Sequence, residues 1–250
     1  MLHEPIQQQL ARLGLRGAAD ALARLPLDTD LIDALALLLE AECLHRDSLA
    51  QARRTKLAKL GQRAHPADVD LRTARGLGKS RWQQLLSLNW FKLHQHLLLV
   101  GPTGIGKSYL ACALAKAVID HKHSVRYLRL PRLGEELALL QAQGRIGHWL
   151  KTLGRIDLLI LEDLGLVPLS PSHQPLLLEL LEDRQQRGSV IVTSQLPIKL
   201  WHGQFQDPTL ADAILDRLVH NAERLELTGE SMRKKQPPNP ANGDPPDAAQ

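Results

Sequence analysis

The chain has 250 residues, of which 44% are hydrophobic and 23% are charged. This composition is typical of a soluble globular protein and excludes a largely disordered or fibrous one, and the length fits one large α/β domain plus a smaller one. The longest apolar run, residues 109–115, is too short for a membrane-spanning helix, and the amino terminus lacks the features of a secretory signal. We therefore expect a cytoplasmic protein with no membrane partner. The two cysteines, Cys43 and Cys112, follow no disulfide or metal-binding spacing and are expected to be buried.

Residues 1–60 have the periodicity of helices. A first amphipathic helix ends at Gly14, a second ends near Leu25, and a long third one begins near Asp30. Residues 61–92 are weakly patterned and are predicted to be a basic connector. The third helix carries leucines at helical spacing that we interpret as a packing stripe, namely Leu31, Leu35, Leu38 and Leu39.

Positive charge is concentrated in one segment of the chain. The net charge is +4, yet residues 46–92 contain eleven basic and only three acidic side chains. We call residues 46–92 the basic segment. Clustered Lys and Arg are typical of a surface that binds the phosphate backbone of nucleic acid, although a solvated helix face is an alternative interpretation. The residues predicted to contact DNA are Arg53, Arg54, Lys56, Lys59, Arg63, Arg75, Lys79 and Arg81.

Between residues 93 and 235, short apolar runs alternate with amphipathic stretches. This alternation predicts βαβ units, and hence an α/β domain with a parallel sheet covered by helices on both faces. Residues 236–250 contain five prolines and no aromatic side chain, so this tail is predicted to be disordered. The predicted strands are residues 97–100, 125–130, 158–161, 189–194 and 224–228, and the predicted helices are residues 107–121, 131–143, 172–187 and 209–220.

The segment after the first predicted strand matches a motif that binds nucleotide phosphates. Its sequence, GPTGIGKS, fits G-x-x-x-x-G-K-[ST], and a helix is predicted to follow it. The glycines allow backbone N–H groups to converge on a phosphate, Lys107 would reach the β- and γ-phosphates, and Ser108 would offer its hydroxyl to Mg²⁺. A second GKS sequence at residues 76–80 lacks the upstream glycine and the strand, so we assign it to the basic segment. We call residues 101–108 the phosphate loop, and its predicted ligand residues are Gly101, Pro102, Thr103, Gly104, Ile105, Gly106, Lys107 and Ser108.

Two carboxylates end the third predicted strand. Glu162 and Asp163 directly follow the apolar residues 158–161, and side chains at the carboxyl ends of parallel strands face the ligand crevice of the sheet. One carboxylate can hold the water shell of a metal ion, and the next can polarise an attacking water. The pair favours an ATPase over a small-molecule kinase, which the phosphate loop alone does not separate.

Together these segments resemble a known family. The chain is similar to the IstB-like transposition helper ATPases, a branch of the AAA+ superfamily close to the helicase loader DnaC. The resemblance implies a P-loop AAA+ domain with a three-layer parallel sheet at residues 93–235, preceded by a small helical domain at residues 1–60 that contacts partner and DNA. Besides the phosphate loop, it rests on Asn89, Trp90 and His94, on LLILEDLGLVP at 158–168, on VTSQLP at 192–197, on Trp201 and His202, on ILDRL at 214–218 and on GESMRK at 229–234.

The resemblance also implies roles for single residues. Glu162 lies where the family has its Mg²⁺-associated acid, and Asp163 lies where it has the catalytic carboxylate. The superfamily more often has aspartate followed by glutamate, so the order here is inverted, a difference that concerns the hydrolysis rate more than nucleotide binding. Gln195 resembles the polar sensor of the attacking water, Arg217 the arginine finger, and Arg233 the second sensor arginine.

Two of these roles have simpler alternatives. Gln195 could be a strand-end amide that caps a helix. Arg217 could pair with Asp212 or Asp216 on its own helix. If instead a neighbouring protomer donates Arg217, the chemistry requires assembly.

The resemblance therefore implies an ATPase that uses ATP and Mg²⁺ and forms a homo-oligomer on double-stranded DNA when ATP is bound. It also implies that the protein recruits or stimulates the transposase of the same insertion sequence. A helicase loader of the DnaC type is the nearest alternative. A nucleotide-gated DNA-binding module with negligible hydrolysis is a second alternative, which the order of Glu162 and Asp163 favours.

Overall fold

A computed structural model describes residues 3–26 and 28–232 of the chain. The chain divides into two compact units, Met1–Leu57 and Ala58–Gln250. Arg233 and the tail predicted at residues 236–250 lie outside the described residues. The helices are α1 (His3–Arg12), α2 (Arg16–Leu22), α3 (Leu31–Ala58), α4 (Lys79–Leu86), α5 (Asn89–Lys92), α6 (Lys107–Asp120), α7 (Leu130–Ala142), α8 (Ile146–Gly154), α9 (Gln174–Arg184) and α10 (Pro208–Val219).

The first unit consists of the three helices that the periodicity predicts. Gly17 of α2 packs so closely on α3 that a Cβ at this position would lie 2.6 Å from the Ala41 main-chain oxygen. Glu42 of α3 is buried and accepts hydrogen bonds from the Ala18 N–H and the Arg46 side chain. This carboxylate therefore satisfies a free N–H group at the start of α2, which has no capping side chain of its own.

Two expectations for the first unit are wrong. The leucines at Leu31, Leu35 and Leu39 do not form a buried stripe, since between 56% and 81% of each is exposed. Cys43 is exposed as well, whereas Cys112 in α6 is buried as expected. Helical spacing gives the face on which a residue lies but not whether another element covers that face.

The second unit is built on one parallel sheet of five strands in the order β2-β3-β4-β1-β5. Because β1 and β3 both lie beside β4, the residues that follow these three strands meet at one edge of the sheet. Within the described residues, no helix is long and apolar enough to cross a membrane. The strands are β1 (His96–Val100), β2 (Val125–Arg129), β3 (Leu158–Leu164), β4 (Ser189–Ser194) and β5 (Ala222–Glu226).

The sheet has a hydrophobic core on each face. Successive strand side chains point to opposite faces, so Leu97 and Leu99 of β1 enter one core while Leu98 and Val100 enter the other. The first core packs on α6, and the second packs on α7 to α10. All five residues of β1 are buried, which explains why this strand appears in the sequence as a continuous apolar run.

Residues 61–92 contribute to the core of the second unit. Trp82 of α4 and Trp90 of α5 are buried in the core that packs on α6. Their ring N–H groups donate to the main-chain oxygens of Pro66 and Leu85. Residues 61–92, which the sequence predicts to be a basic connector, therefore form part of the layer that covers one face of the sheet, together with α6.

Candidate nucleotide-binding site

The phosphate loop connects the end of β1 to the start of α6. Gly101, Gly104 and Gly106 have φ angles of 156°, 80° and 98°, a backbone that other residues rarely adopt. Ile105 is fully buried and anchors the loop. No side chain caps the start of α6, so its free N–H groups and the positive end of the helix dipole are available to an anion. This arrangement is the one that the motif predicts.

The side chain of Lys107 is buried against the main chain of the phosphate loop. Its Nζ donates to the main-chain oxygens of Gly101 at 2.7 Å and Pro102 at 3.0 Å. Burial lowers the pKa of Lys107, while the charges of Asp163 and Glu162 raise it. A bound phosphate would give this buried cation the charged partner that the loop carbonyls do not provide.

Ser108 and Glu162 form the part of the site that fits a metal ion. The Ser108 hydroxyl donates to Glu162 Oε1, and Glu162 Oε2 is buried with no hydrogen-bond partner among the described residues. Burial raises the pKa of Glu162, the bond from Ser108 lowers it, and the charge of Asp163 raises it. Hydroxyl and carboxylate oxygens are suitable Mg²⁺ ligands, so these two residues fit the ion that the motif implies.

Asp163 occupies a bulge in β3. The pairing of β3 with β4 shifts register between Leu161 and Leu164, and Asp163 has a left-handed backbone with φ of 62°. The Asp163 N–H donates to the Thr193 hydroxyl at 3.1 Å. Left-handed backbone is several-fold enriched in Asp and Asn relative to other non-glycine residues. The bulge thus gives a physical reason for aspartate, and not glutamate, at this position.

Arg129 contacts the Asp163 carboxylate. Its Nε donates to Asp163 Oδ2 at 3.3 Å, and Arg129 is the register partner of Glu162 in the pairing of β2 with β3. Arg129 is not among the site residues predicted from the sequence. The available signal was its position near the carboxyl end of the predicted strand at residues 125–130, since strand ends in a parallel sheet share one edge.

Gln195 is the first residue after β4, and its side chain contacts the phosphate loop. Its Oε1 accepts a hydrogen bond of 2.6 Å from the Thr103 hydroxyl. No helix starts at this point that the amide could cap, because Ile198–Leu200 is a 3₁₀ turn without a side-chain cap. The structure therefore brings together the phosphate loop, Glu162, Asp163 and Gln195.

Arg217 is not part of this cluster in the same chain. It lies near the end of α10, where its backbone contacts His96, the first residue of β1. The phosphate loop follows the other end of β1. The Arg217 side chain donates to Glu182 at 2.6 Å and to the Ala213 main-chain oxygen at 2.8 Å. The alternative pairing with Asp212 or Asp216 is wrong, and the role of Arg217 as an arginine finger stays a prediction.

The carboxyl-terminal part of the described chain runs along the phosphate loop. After β5, the Leu227 N–H donates to the Val100 main-chain oxygen at 2.7 Å. The Met232 N–H donates to the Gly104 main-chain oxygen at 2.8 Å. The predicted second sensor, Arg233, is the next residue and lies outside the described residues.

Most of the predicted DNA-binding residues are accessible, and one is not. Arg75 is only 3% exposed and donates to the main-chain oxygen of Ile105 in the phosphate loop, so the prediction that it contacts DNA is wrong. Arg81 is half-buried and pairs with Glu223 at 2.9 Å, and Arg54 is also half-buried. The exposed members of the set are Arg53, Lys56, Lys59, Arg63 and Lys79.

The fold and the site define a P-loop nucleotide-binding protein of the AAA+ class. The chain belongs to the family of IstB-like ATP-binding proteins, whose family model matches residues 8–239. The resemblance seen in the sequence is thereby confirmed.

Individual proteins agree with this assignment. The chain is 45% identical over 241 residues to the insertion sequence ATP-binding protein y4pL of Sinorhizobium fredii, which covers 94% of this chain and 98% of that protein. It is 39% identical over 203 residues to the ATP-binding protein of insertion sequence IS1162 of Pseudomonas fluorescens, covering 79% and 88%. The crystal structure of the DnaC helicase loader has the same fold, with a TM-score of 0.55 and 19% identity over 67% of this chain and 97% of that one.

Proposed function

We propose that this protein is a DNA-dependent ATPase that assembles on double-stranded DNA in its ATP-bound state and recruits or stimulates the transposase of its own insertion sequence. The observation that carries the proposal is the convergence of the phosphate loop, Glu162, Asp163 and Gln195 at one sheet edge. The names of the insertion sequence relatives support the link to transposition.

The residues of the site divide the chemistry among them. Backbone N–H groups of the phosphate loop and Lys107 bind the phosphates, while Ser108 and Glu162 would hold Mg²⁺, which neutralises charge on the β- and γ-phosphates when bound. Asp163 accepts a proton from, or orients, the attacking water, and Gln195 aligns that water. Burial of Glu162 and Lys107 lowers the effective dielectric, which strengthens these interactions.

The catalytic part of the proposal is tested by ATP turnover at several protein concentrations, with and without duplex DNA. We expect turnover to rise with both, because Arg217 lies away from the phosphate loop of its own chain and a neighbour must supply it. Lys107→Ala abolishes turnover and Lys151→Ala, an exposed lysine outside both the site and the basic segment, leaves it unchanged. Turnover that ignores both DNA and protein concentration contradicts the assembly model.

The DNA part of the proposal depends on the exposed lysines and arginines of the basic segment. Duplex binding should weaken with salt, and replacing Lys56 and Lys59 by glutamine should reduce the slope of log K against log salt by about 1 for each lost phosphate contact. The matched control replaces Lys151 and Lys199, which are exposed outside the basic segment. If the two double variants change the salt dependence of duplex binding equally, the basic segment is not part of the DNA interface.

A nucleotide-gated DNA-binding module with negligible hydrolysis is a second candidate function. The contact between Arg129 and Asp163 favours it, because the guanidinium occupies a carboxylate oxygen that a catalytic base must present to water. In that case Asp163→Asn leaves transposition intact whereas Lys107→Ala abolishes it. Loss of transposition in both variants supports the ATPase.

A helicase loader is the alternative that the fold itself suggests, since DnaC shares it. The two partners are distinguished by purifying the tagged protein from cells that express both a transposase of the same element and a replicative helicase. Co-purification of the transposase supports our proposal, and co-purification of the helicase alone supports the loader.

A further inference from the structure

Arg75 belongs to the basic segment, yet it is buried against the phosphate loop. Its Nη1 donates to the main-chain oxygen of Ile105 at 2.9 Å, and its Nη2 donates to that of Asp70 at 2.8 Å. Its Nε is buried and has no hydrogen-bond partner among the described residues. The guanidinium also lies directly on Gly106, where an added Cβ would be 2.5 Å from Nη1.

The charge of Arg75 is not neutralised by a direct ion pair in the described structure. The nearby acid, Asp70, uses its carboxylate to accept hydrogen bonds from the Arg72 N–H and from Thr73, and it offers Arg75 its main-chain oxygen. Burial lowers the pKa of Arg75, and the charge of Asp70 opposes this shift. A buried cation without a charged partner is costly, and a bound anion close to Arg75 would lower that cost.

The bond to Ile105 orients one peptide plane of the phosphate loop. In a trans peptide, the C=O of one residue and the N–H of the next point in opposite directions, and the described residues contain no cis peptide bond. Since Arg75 binds the Ile105 oxygen, the Gly106 N–H on the same peptide plane points away from the guanidinium. This N–H is one of the donors that the motif uses for phosphate.

We propose that Arg75 is a positioning residue of the nucleotide site, which aims the Gly106 N–H at the bound phosphates and contributes a buried positive charge that these phosphates compensate. The inference rests on the proposed nucleotide function and deepens it. It separates Arg75 from the exposed arginines and lysines around it, which remain available to DNA.

The proposal predicts an effect that depends on the number of phosphates. Affinities of the full chain for ATP, ADP and AMP are measured by calorimetry with Mg²⁺ present. Arg75→Met should weaken ATP and ADP binding by about tenfold or more, because a buried charge beside the phosphates is lost, and should affect AMP much less. Arg75→Lys, which retains the charge, should recover part of the ATP affinity. Arg72→Met is the matched control, since Arg72 is exposed in the same turn, and should behave as the wild type.

A purely structural role would give a different result. In that case Arg75→Met weakens the binding of all three nucleotides by the same factor, or leaves ATP affinity within about twofold of the wild type, and either result overturns the proposal. If Arg75→Met does not fold, as judged by circular dichroism without nucleotide, Arg75→Gln replaces it. Glutamine keeps a donor for the Ile105 oxygen and lacks the charge, so it should reduce the preference for ATP over AMP, and an unchanged preference overturns the proposal.

Failure of this inference is distinguishable from failure of the proposed function. Absence of ATP binding by the wild-type chain would refute the nucleotide function itself. ATP binding that requires Lys107 but is indifferent to the charge of Arg75 would refute only the role of Arg75.

Discussion

His96, the first residue of β1, is buried as a neutral imidazole. Its Nδ1 accepts a hydrogen bond of 3.1 Å from the Val190 N–H. Burial, with the charge of Arg184 as a second cause, lowers its pKa to about 4 from 6.5. Between these values the unfolded chain binds more protons than the folded one, so stability falls as pH decreases from about 6.5 to about 4. The full effect is about 3 kcal/mol.

This prediction is checked by urea unfolding at a series of pH values. His96→Asn, whose side-chain oxygen can accept from Val190, should lose less stability than the wild type across that window. His94→Asn is the control, because His94 is exposed two residues earlier. If the two variants show the same slope against pH, His96 is not the group responsible.

Asp163 combines a proposed catalytic role with a left-handed backbone. With φ at 62°, Asn is accommodated as well as Asp, whereas Glu pays an additional cost of about 1 kcal/mol for left-handed backbone. We predict that Asp163→Glu is less stable in urea than Asp163→Asn by about this amount. At Asp216, an exposed helical position, the order should reverse because Glu is the better helix former. A more stable Asp163→Glu would argue against the bulge.

At the scale of elements, one side chain joins four segments at the amino ends of β3 and β4. Arg184, the last residue of α9, donates to the main-chain oxygens of Leu153, Ile156, Asp157 and Ser189. Burial lowers its pKa to about 10. Removal of the guanidinium leaves buried carbonyls without donors, each at a cost of about 1 to 3 kcal/mol.

We therefore predict that Arg184→Met lowers the free energy of unfolding by about 3 kcal/mol or more. Arg184→Lys should recover only a small part, because an ammonium cannot reach all four oxygens. Arg187→Met, at an exposed position in the following turn, should change stability little. Urea denaturation of the three variants gives the comparison, and equal stabilities of Arg184→Met and Arg187→Met would contradict the prediction.

The sequence predicts the elements of the second unit well where burial leaves a clear pattern. The strand at Ser189–Ser194 has the predicted bounds, since both of its faces are covered and every residue is apolar or small. Helix α8 was not predicted, because Gly147 and Gly154 interrupt its pattern. Helices α4 and α5 were not predicted either, because the sequence of the basic segment is dominated by its charged residues. Local sequence shows periodicity. Where the apolar pattern of a segment is weak, the sequence does not show whether the rest of the chain will bury that segment.

The candidate site likewise contains residues that the sequence predicts and residues that it does not. The phosphate loop and the acidic pair were found because their spacing is fixed by chain-local geometry. Arg75, Arg129 and the bond between Thr103 and Gln195 depend on contacts across 30 to 92 positions of sequence. Such contacts depend on how distant segments pack and on the order of the strands, and neither can be deduced from a single segment.

For the whole molecule, the predicted role of Arg217 as an arginine finger determines whether one chain could hydrolyse ATP alone. The phosphate loop follows the carboxyl end of β1, and Arg217 lies at the amino end of the same strand, bound to Glu182. An arginine finger must reach the γ-phosphate. If Arg217 has this role, it acts on the site of a neighbouring copy through a head-to-tail interface, which places one half of each site on each chain.

This arrangement predicts complementation between two inactive variants. Lys107→Ala and Arg217→Ala should each lack ATP turnover alone. Mixed in equal amounts, they should regain activity at about a quarter of the interfaces, where an intact phosphate loop meets an intact Arg217. Lys107→Ala mixed with itself at the same total concentration is the baseline, and Arg187→Ala, an exposed arginine elsewhere in the unit, should stay active alone. Two variants that remain inactive together, while each still oligomerises on duplex DNA, would show that Arg217 does not act between protomers.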